Sequence, residues 1–527
     1  MMQQANFTIS NSLKRFRKLR YFLILEGMIV GVLAGFTIVL FRILLDRASD
    51  LLNFILAYGK SHTWFIPVWF IILIAVSLVV SALLTWEPYI SGSGIPQMEG
   101  EMQGEIKQTW WRVLSAKFAG ALLCIGCGLS LGREGPSIQL GSMVGKGFSR
   151  LTKRMRMEER MLMTCGASAG LSAAFNAPIA GVLFSLEEVH KNFSPEVLLS
   201  TMASSITANF ITRNIFGLQP IFSFNVPNML PLNSYGHVII VGILLGLLGV
   251  LYNTCLIQSQ KLYQKIPKVY FRVLIPFLVA GAMGFLYPAV LGGGHTLVDT
   301  ISEGQMAVGA LLLLFGVKFI FSMVSFGSGA PGGIFLPLLV LGAIIGGSYN
   351  ELMGSFFPSL NGYMSNFVIL GMTGYFSAIV RAPITGIILI TEMTGTFNHL
   401  LTLSMAALMA YLIPDIMKCA PIYDQLLHRL LANRKWKKPH QPSGEKVLVE
   451  GMIYHGSAAE GKIVSAITWP KASLIVSITR GDEEFIPKGD TRLRAGDHIL
   501  LICDETDAPD VYKTIEENCQ RMQERQS

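Results

Sequence analysis

The most constraining feature of this chain is that its apolar part is written twice. Displaced by 201 positions, the sequence places Lys117, Phe118, Gly126, Gly128, Gly132, Pro136, Leu140, Gly141 and Gly145 on Lys318, Phe319, Gly327, Gly329, Gly333, Pro337, Leu341, Gly342 and Gly346. These nine identities fall within 29 residues, where roughly two would arise from average residue frequencies. A displacement of 205 aligns a second block: Gly166, Ser172, Ala173, Ala177, Pro178, Ile179, Gly181 and Glu187 meet Gly371, Ser377, Ala378, Ala382, Pro383, Ile384, Gly386 and Glu392. Both copies break apolar sequence with glycine and proline at corresponding places. A bilayer tolerates such breaks only where protein or a watery cavity covers the freed backbone groups. Duplicated, interrupted halves mark secondary transporters, whose substrate binds where half-helices end. Close helix packing explains small residues, but not a shared order of Gly, Pro and Lys. Whether the copies run parallel or inverted stays open at this point.

Lipid as the solvent follows from composition. Of 527 residues, 51% are hydrophobic and 14% charged, against about 25% charged in soluble domains. Segments 22–41 and 64–86 are long enough to cross a ~30 Å hydrocarbon layer, and similar stretches lie at 237–257, 272–291, 309–324, 334–347, 367–393 and 401–413. The basic cluster Lys14, Arg15, Arg17, Lys18 and Arg20 leads into a full span, not a cleavable signal. Two more lie between Lys146 and Arg160 and at Arg434, Lys435, Lys437 and Lys438. The positive-inside rule puts all three in the cytoplasm, and both termini with them. The net charge of +8 therefore reads as topology in a multi-pass cell membrane protein, with no nucleic acid partner. Seven cysteines make no secreted framework; Cys124 and Cys127 sit in a Gly-rich apolar segment, where packing is the better reading than redox.

Four regions are expected: a basic N-terminal segment 1–20, a transport domain 21–432, a linker 433–446 holding Pro439 and Pro442, and a cytoplasmic domain 447–527. In the last, 471–479 and 497–503 read as strands beside turn signals, and 510–524 as a closing helix. The fold class is an all-α polytopic membrane protein with a small C-terminal α/β domain.

Three Gly-rich signatures stand at the breaks: Gly92-Ser93-Gly94-Ile95-Pro96, Gly132-Arg133-Glu134-Gly135-Pro136 and Gly333-Ile334-Phe335-Leu336-Pro337. Each has Gly for an unusual turn and Pro just inside a helix start. Helix starts leave N–H groups unpaired and carry about half a positive charge. Several converging on one point hold an anion without a fixed cation. A carboxylate such as Glu134 would compete for those donors and withdraw on protonation; the plainer alternative is a helix-capping glutamate. Glu187-Glu188 closes the run after Ala177-Pro178, where adjacent acids are otherwise a solvated face. Lys117 and Lys318 are expected to be structural, their ammonium groups reaching water or helix carbonyls. An ATP-driven pump or membrane enzyme finds little support. Gly141 to Gly145-Lys146 has the wrong spacing for a phosphate loop, and no His-Glu-x-x-His metal motif occurs. Neither a cofactor nor a metal is expected.

Together these signatures, with Tyr423 in Pro421-Ile422-Tyr423, resemble the CLC family of chloride channels and transporters over about residues 15–432. The resemblance implies a homodimer with one anion pathway per subunit, built from two inverted repeats of tilted and broken helices. It implies that Ser93 and Tyr423 hold chloride through their hydroxyls and Ile334 and Phe335 through backbone N–H groups. Gly92, Gly94, Pro96, Gly132, Arg133, Gly135, Pro136, Gly333 and Pro337 complete the selectivity motifs. It further implies that Glu134 is the gate and Glu188 the inner proton-transfer site, an acidic residue that the family's exchangers carry and its channels usually lack. The function implied is secondary exchange of chloride for protons; the alternative is a passive channel of the same family. The tail resembles the regulatory C-terminal domain of bacterial potassium-uptake and potassium-channel proteins (TrkA-C or RCK-C), through Gly456-Ser457, Gly461-Lys462, Arg480-Gly481, Ile486-Pro487, Gly489-Asp490-Thr491 and Gly496-Asp497. Such domains pair with one another and often bind small ligands, nucleotides among them.

Overall fold

The computed structural model describes residues 2–191, 194–218, 220–222, 226, 228–304, 306–432, 446–469, 473–481, 483–504 and 507–519. The linker 433–446 lies almost wholly outside the described residues. The chain forms two compact units: Met1–Met98, Gln108–Arg154 and Glu158–Arg429 make one, and Glu99–Lys107, Met155–Met157 and Leu430–Ser527 the other.

In the larger unit, six helices among the described residues are long and apolar enough to cross a membrane: Tyr21–Ser61, Phe65–Trp86, Leu232–Gln264, Val269–Leu286, Val308–Gly327 and Phe335–Gly354. The apolar stretch 367–393 is broken at its proline into two helices, Met364–Val380 and Pro383–Thr394. Pro383 disfavours helical backbone at the residue before it, and Arg381 turns left-handed with φ 70°. The equivalent Asn176, before Ala177-Pro178, does the same with φ 54°. Four further helices, Trp110–Gly126, Glu134–Leu151, Arg156–Phe175 and Pro195–Phe216, lack a long continuous apolar run. Their charges, glycines and hydroxyls dilute the hydropathy.

Repeated glycines outside the loops serve close packing. A Cβ on Gly141 would run into the backbone of Gly166, and one on Gly342 into that of Gly371. Helix pair Glu134–Leu151 and Arg156–Phe175 is thus matched by Phe335–Gly354 and Met364–Val380, each pair touching backbone to backbone.

The two copies are joined at equivalent positions. The Gly132 N–H donates to the Gly333 carbonyl (2.7 Å) and the Gly333 N–H to the Gly132 carbonyl (2.8 Å). Reciprocal bonds between equivalent residues define a local twofold axis. A second reciprocal pair follows it. Glu187 accepts from the Thr385 N–H (2.9 Å) and hydroxyl (2.7 Å). Glu392 accepts from the N–H groups of Ile179 (3.1 Å) and Ala180 (2.8 Å). Each glutamate caps the helix start of the other copy, where free N–H groups and the helix dipole favour a carboxylate.

The smaller unit carries a four-stranded antiparallel sheet, order β1-β4-β2-β3, of β1 Lys446–Met452, β2 Ser473–Arg480, β3 Glu483–Phe485 and β4 His498–Asp504. The expected strands correspond to β2 and β4; β1 and β3 were missed, because Gly451 interrupts one and the other is only three residues long. The closing helix is Ala508–Cys519. Its Val511 and Ile515 pack with Val449, Ile478, Ile499 and Leu501 in the core. Burial works to raise the Asp497 pKa, but the Arg480 fork (2.7 Å to each carboxylate oxygen) and the Arg494 N–H (2.8 Å) hold it below the usual carboxylate value.

Candidate anion and proton site

Each Gly-rich signature becomes a loop running into a helix. Gly92 (φ 63°) and Gly94 (φ 93°) take left-handed turns on either side of Ser93, before helix Ile95–Met102. Pro96 is its second residue; Pro136 and Pro337 are the third residues of Glu134–Leu151 and Phe335–Gly354. At these places the missing proline N–H would be unpaired anyway.

The loops close on one another. A Cβ on Gly135 would stand 2.9 Å from the Ser93 Cβ, and one on Gly333 would stand 3.0 Å from the Gly135 nitrogen. With the Gly132–Gly333 bridge, these approaches bring the starts of all three helices together. Ser93 is buried, and its hydroxyl accepts the Ile95 N–H (3.3 Å). Ile334 is the N-cap of its helix. The Phe335 ring is fixed among Phe175, Phe184 and Phe376, at 5.4, 5.7 and 4.6 Å between centroids.

Glu134 is the first residue of its helix and is fully buried. Its carboxylate faces the N–H groups of Glu134 and Leu336 and has Arg133 and Arg42 in electrostatic range, yet neither oxygen completes a well-formed hydrogen bond. It is not a settled cap. Tyr423, also fully buried, has no hydrogen-bond partner for its hydroxyl, and Glu188 and Glu134 both lie within its electrostatic range. Arg133 is the N-cap of the Glu134 helix, with one nitrogen 3.6 Å from Asp46.

The structure separates the two adjacent acids. Glu187 is spent on the Thr385 helix start, whereas Glu188 is buried on a π-helical turn, Ser185–His190. A π turn shifts the register of the side chains that follow it and is frequent at functional sites. No sequence signal marked it.

Supporting groups that sequence reasoning missed surround the serine loop. Gln139 donates to the Tyr89 carbonyl (3.0 Å) and to the Gln108 side chain (2.9 Å), Gln108 to the Gln97 carbonyl (3.1 Å), and Gln97 to the Ser91 carbonyl (2.8 Å). Lys117 does not carry its charge to water. Its buried ammonium donates to the carbonyls of Ile90 (2.9 Å) and Gly92 (2.6 Å). Lys318 does the same to Val290 (2.8 Å) and Gly292 (2.7 Å). The two short turns Pro88–Ile90 and Pro288–Val290 therefore extend the repeat at an offset of 200. Gly292-Gly293-Gly294-His295 is the second copy's counterpart of the serine loop, with Pro88, Gly92 and Gly94 matched by Pro288, Gly292 and Gly294 as its sequence signal.

Known proteins share this architecture. The profile of the voltage gated chloride channel family matches residues 73–415, and that of the TrkA-C domain matches 448–516. The H(+)/Cl(-) exchange transporter ClcA of Vibrio cholerae serotype O1 (strain M66-2) is 36% identical over 437 residues, covering 79% of this chain and 91% of its own. ClcA of Yersinia pestis bv. Antiqua (strain Angola) is 34% identical over 432 residues, covering 78% and 88%. A crystal structure of a slow cyanobacterial Cl-/H+ antiporter superposes with a TM-score of 0.75 at 29% identity, covering 79% of this chain and 99% of that one. With the duplicated helices, the three converging loops and this extent of likeness, the chain belongs to the voltage-gated chloride channel (CLC) family and carries a C-terminal TrkA-C domain.

Proposed function

We propose that this protein exchanges chloride for protons across the cell membrane, as a homodimer with both termini in the cytoplasm. The observation that carries the reading is the pair of orphaned buried groups, the Glu134 carboxylate and the Tyr423 hydroxyl, within range of each other where three helix starts meet. Chloride would lie between the hydroxyls of Ser93 and Tyr423 and the backbone N–H groups of Ile334 and Phe335. Those N–H groups attract an anion strongly enough to bind it, without a fixed cation that would hold it. Glu134 is the tethered competitor: ionised, it takes N–H donors that chloride needs; protonated, it gives them up and carries its proton with it. Glu188, on the π turn within range of Tyr423, passes protons between Glu134 and the cytoplasm. Relatives named as H(+)/Cl(-) exchange transporters and a solved Cl-/H+ antiporter support exchange.

The test is simultaneous recording of chloride efflux and external pH from liposomes holding the purified protein, with an outward chloride gradient and no initial proton gradient. Uphill proton uptake that an uncoupler collapses is the expected result. Chloride efflux with no proton movement would overturn exchange in favour of a passive channel.

A further inference from the structure

The π turn that carries Glu188 is tied to three other helices. At its start Glu187 accepts from the Thr385 N–H and hydroxyl, on helix Pro383–Thr394. At its end the His190 Nδ1 and the Thr164 hydroxyl stand 3.1 Å apart, a hydrogen bond to helix Arg156–Phe175 in either tautomer. The next residue, Lys191, turns left-handed with φ 53°. Its ammonium meets the Asp424 carboxylate at 2.7 Å. Asp424 is the third residue of helix Ile422–Ala432, directly after Tyr423.

The third tie differs from the first two in what it reaches. Glu187 and His190 fix the turn to helices that carry none of the chloride ligands. Lys191 reaches the helix start that carries the orphaned Tyr423 hydroxyl. That start is itself firmly seated. Ile422 and Tyr423 are buried, and Arg381 donates to the Cys419 carbonyl just before them (2.9 Å). Asp424 and Tyr423 share one helical backbone, so a displacement passed through the ion pair moves the phenol with the carboxylate. Stability is not the pair's main use. The two side chains are 41% and 31% exposed, and ion pairs in contact with water contribute little. Asp424 also lies in the first turn of its helix, where a carboxylate is favourable without a cation. What the pair adds is placement: it joins the turn of the proton acid to the hydroxyl of the chloride site.

We propose that Lys191 and Asp424 are positioning residues that hold the Glu188 turn in register with Tyr423. The proposal rests on the exchange reading in taking Glu188 as a proton carrier and Tyr423 as a chloride ligand. Two readouts from the purified full chain in liposomes test it: protons moved per chloride, and the half-saturating chloride concentration at constant ionic strength. Neither depends on how much protein is folded. Lys191→Met and Asp424→Asn should each raise the half-saturating concentration about 1.5-fold to fivefold, the range for a partly exposed ion pair, and lower the protons moved per chloride. Lys191→Arg, which keeps a cation within reach, should stay near the unmodified protein. The double variant Lys191→Met/Asp424→Asn should be no worse than either single, because each single already removes the pair. Either readout unchanged in Lys191→Met, or effects that add in the double variant, would overturn the tie. If the unmodified protein moves chloride without protons, the exchange reading falls alone, and the chloride dependence of the same variants decides the tie.

Discussion

Where the two copies brace each other they carry the same residues: Lys117 and Lys318 on the loop carbonyls, Glu187 and Glu392 on the opposite helix starts, Gly132 and Gly333 in the bridge. Where they face the central site they diverge. At equivalent positions Ser93 is matched by Gly293, Arg133 by Ile334, Glu134 by Phe335, and Glu188 by Met393. The frame is twofold; the chemistry is one-sided. A second buried carboxylate at position 335 would add like-charge repulsion beside Glu134 and displace a ring that Phe175, Phe184 and Phe376 hold in place. Duplication thus builds a shared frame, and divergence leaves Glu134 and Glu188 without an acidic counterpart in the other copy.

The sharpest test of that division is Glu134→Gln. The amide resembles the protonated gate in shape and charge, so proton uptake should fall to background while chloride still moves, as read by paired chloride and pH electrodes. Glu188→Gln should also stop proton movement and retain anion flux. Proton movement at the unmodified rate in Glu188→Gln would remove that residue from the proton branch and leave the asymmetry resting on Glu134 alone.

The shared frame predicts the opposite pattern, equal effects in both copies. Lys117→Met and Lys318→Met each strip a charged donor from two buried carbonyls. Each should lower stability by about 2–4 kcal/mol, since a hydrogen bond from a charged group contributes roughly 1.5–3 kcal/mol, partly offset by relief of a buried charge. Thermal unfolding of the purified protein in detergent measures both. A large loss for one lysine and none for the other would break the equivalence of the two loops.

Much of this was legible in the sequence because the repeat aligns the bracing residues by identity. The offsets of 201 and 205 contain Lys117, Gly132 and Glu187 with their partners, and the Gly-rich motifs carry Ser93, Glu134 and Phe335. What stayed hidden has a physical reason. The serine loop's counterpart keeps only Pro and Gly, because a turn needs its backbone conformations and not its side chains. The π turn under Glu188 leaves no residue pattern, since its hydrogen-bond register is set by packing. Helices such as Glu134–Leu151, buried on nearly every face, lack both the continuous apolar run of a lipid-facing span and the stripe of a surface helix.

The smallest effects belong to the crossed glutamates, and they separate neighbours in sequence most cleanly. Glu187→Gln and Glu392→Gln each keep an acceptor near the opposite helix start but remove its negative charge. The loss should be about 1–2 kcal/mol per site, the range for a cap and a charge–dipole contact in partly buried surroundings. Glu187→Gln should leave proton coupling intact, whereas Glu188→Gln, one residue on, should abolish it. Because the two caps clamp the same pair of helices, Pro178–Phe184 and Pro383–Thr394, the double variant should lose less than the sum of the singles, by roughly 0.5–1 kcal/mol. Strict additivity would mean that each cap secures only its own helix start. Loss of coupling in Glu187→Gln at unchanged stability would instead place that carboxylate on the proton path, and the line between frame and chemistry would then run through both acids.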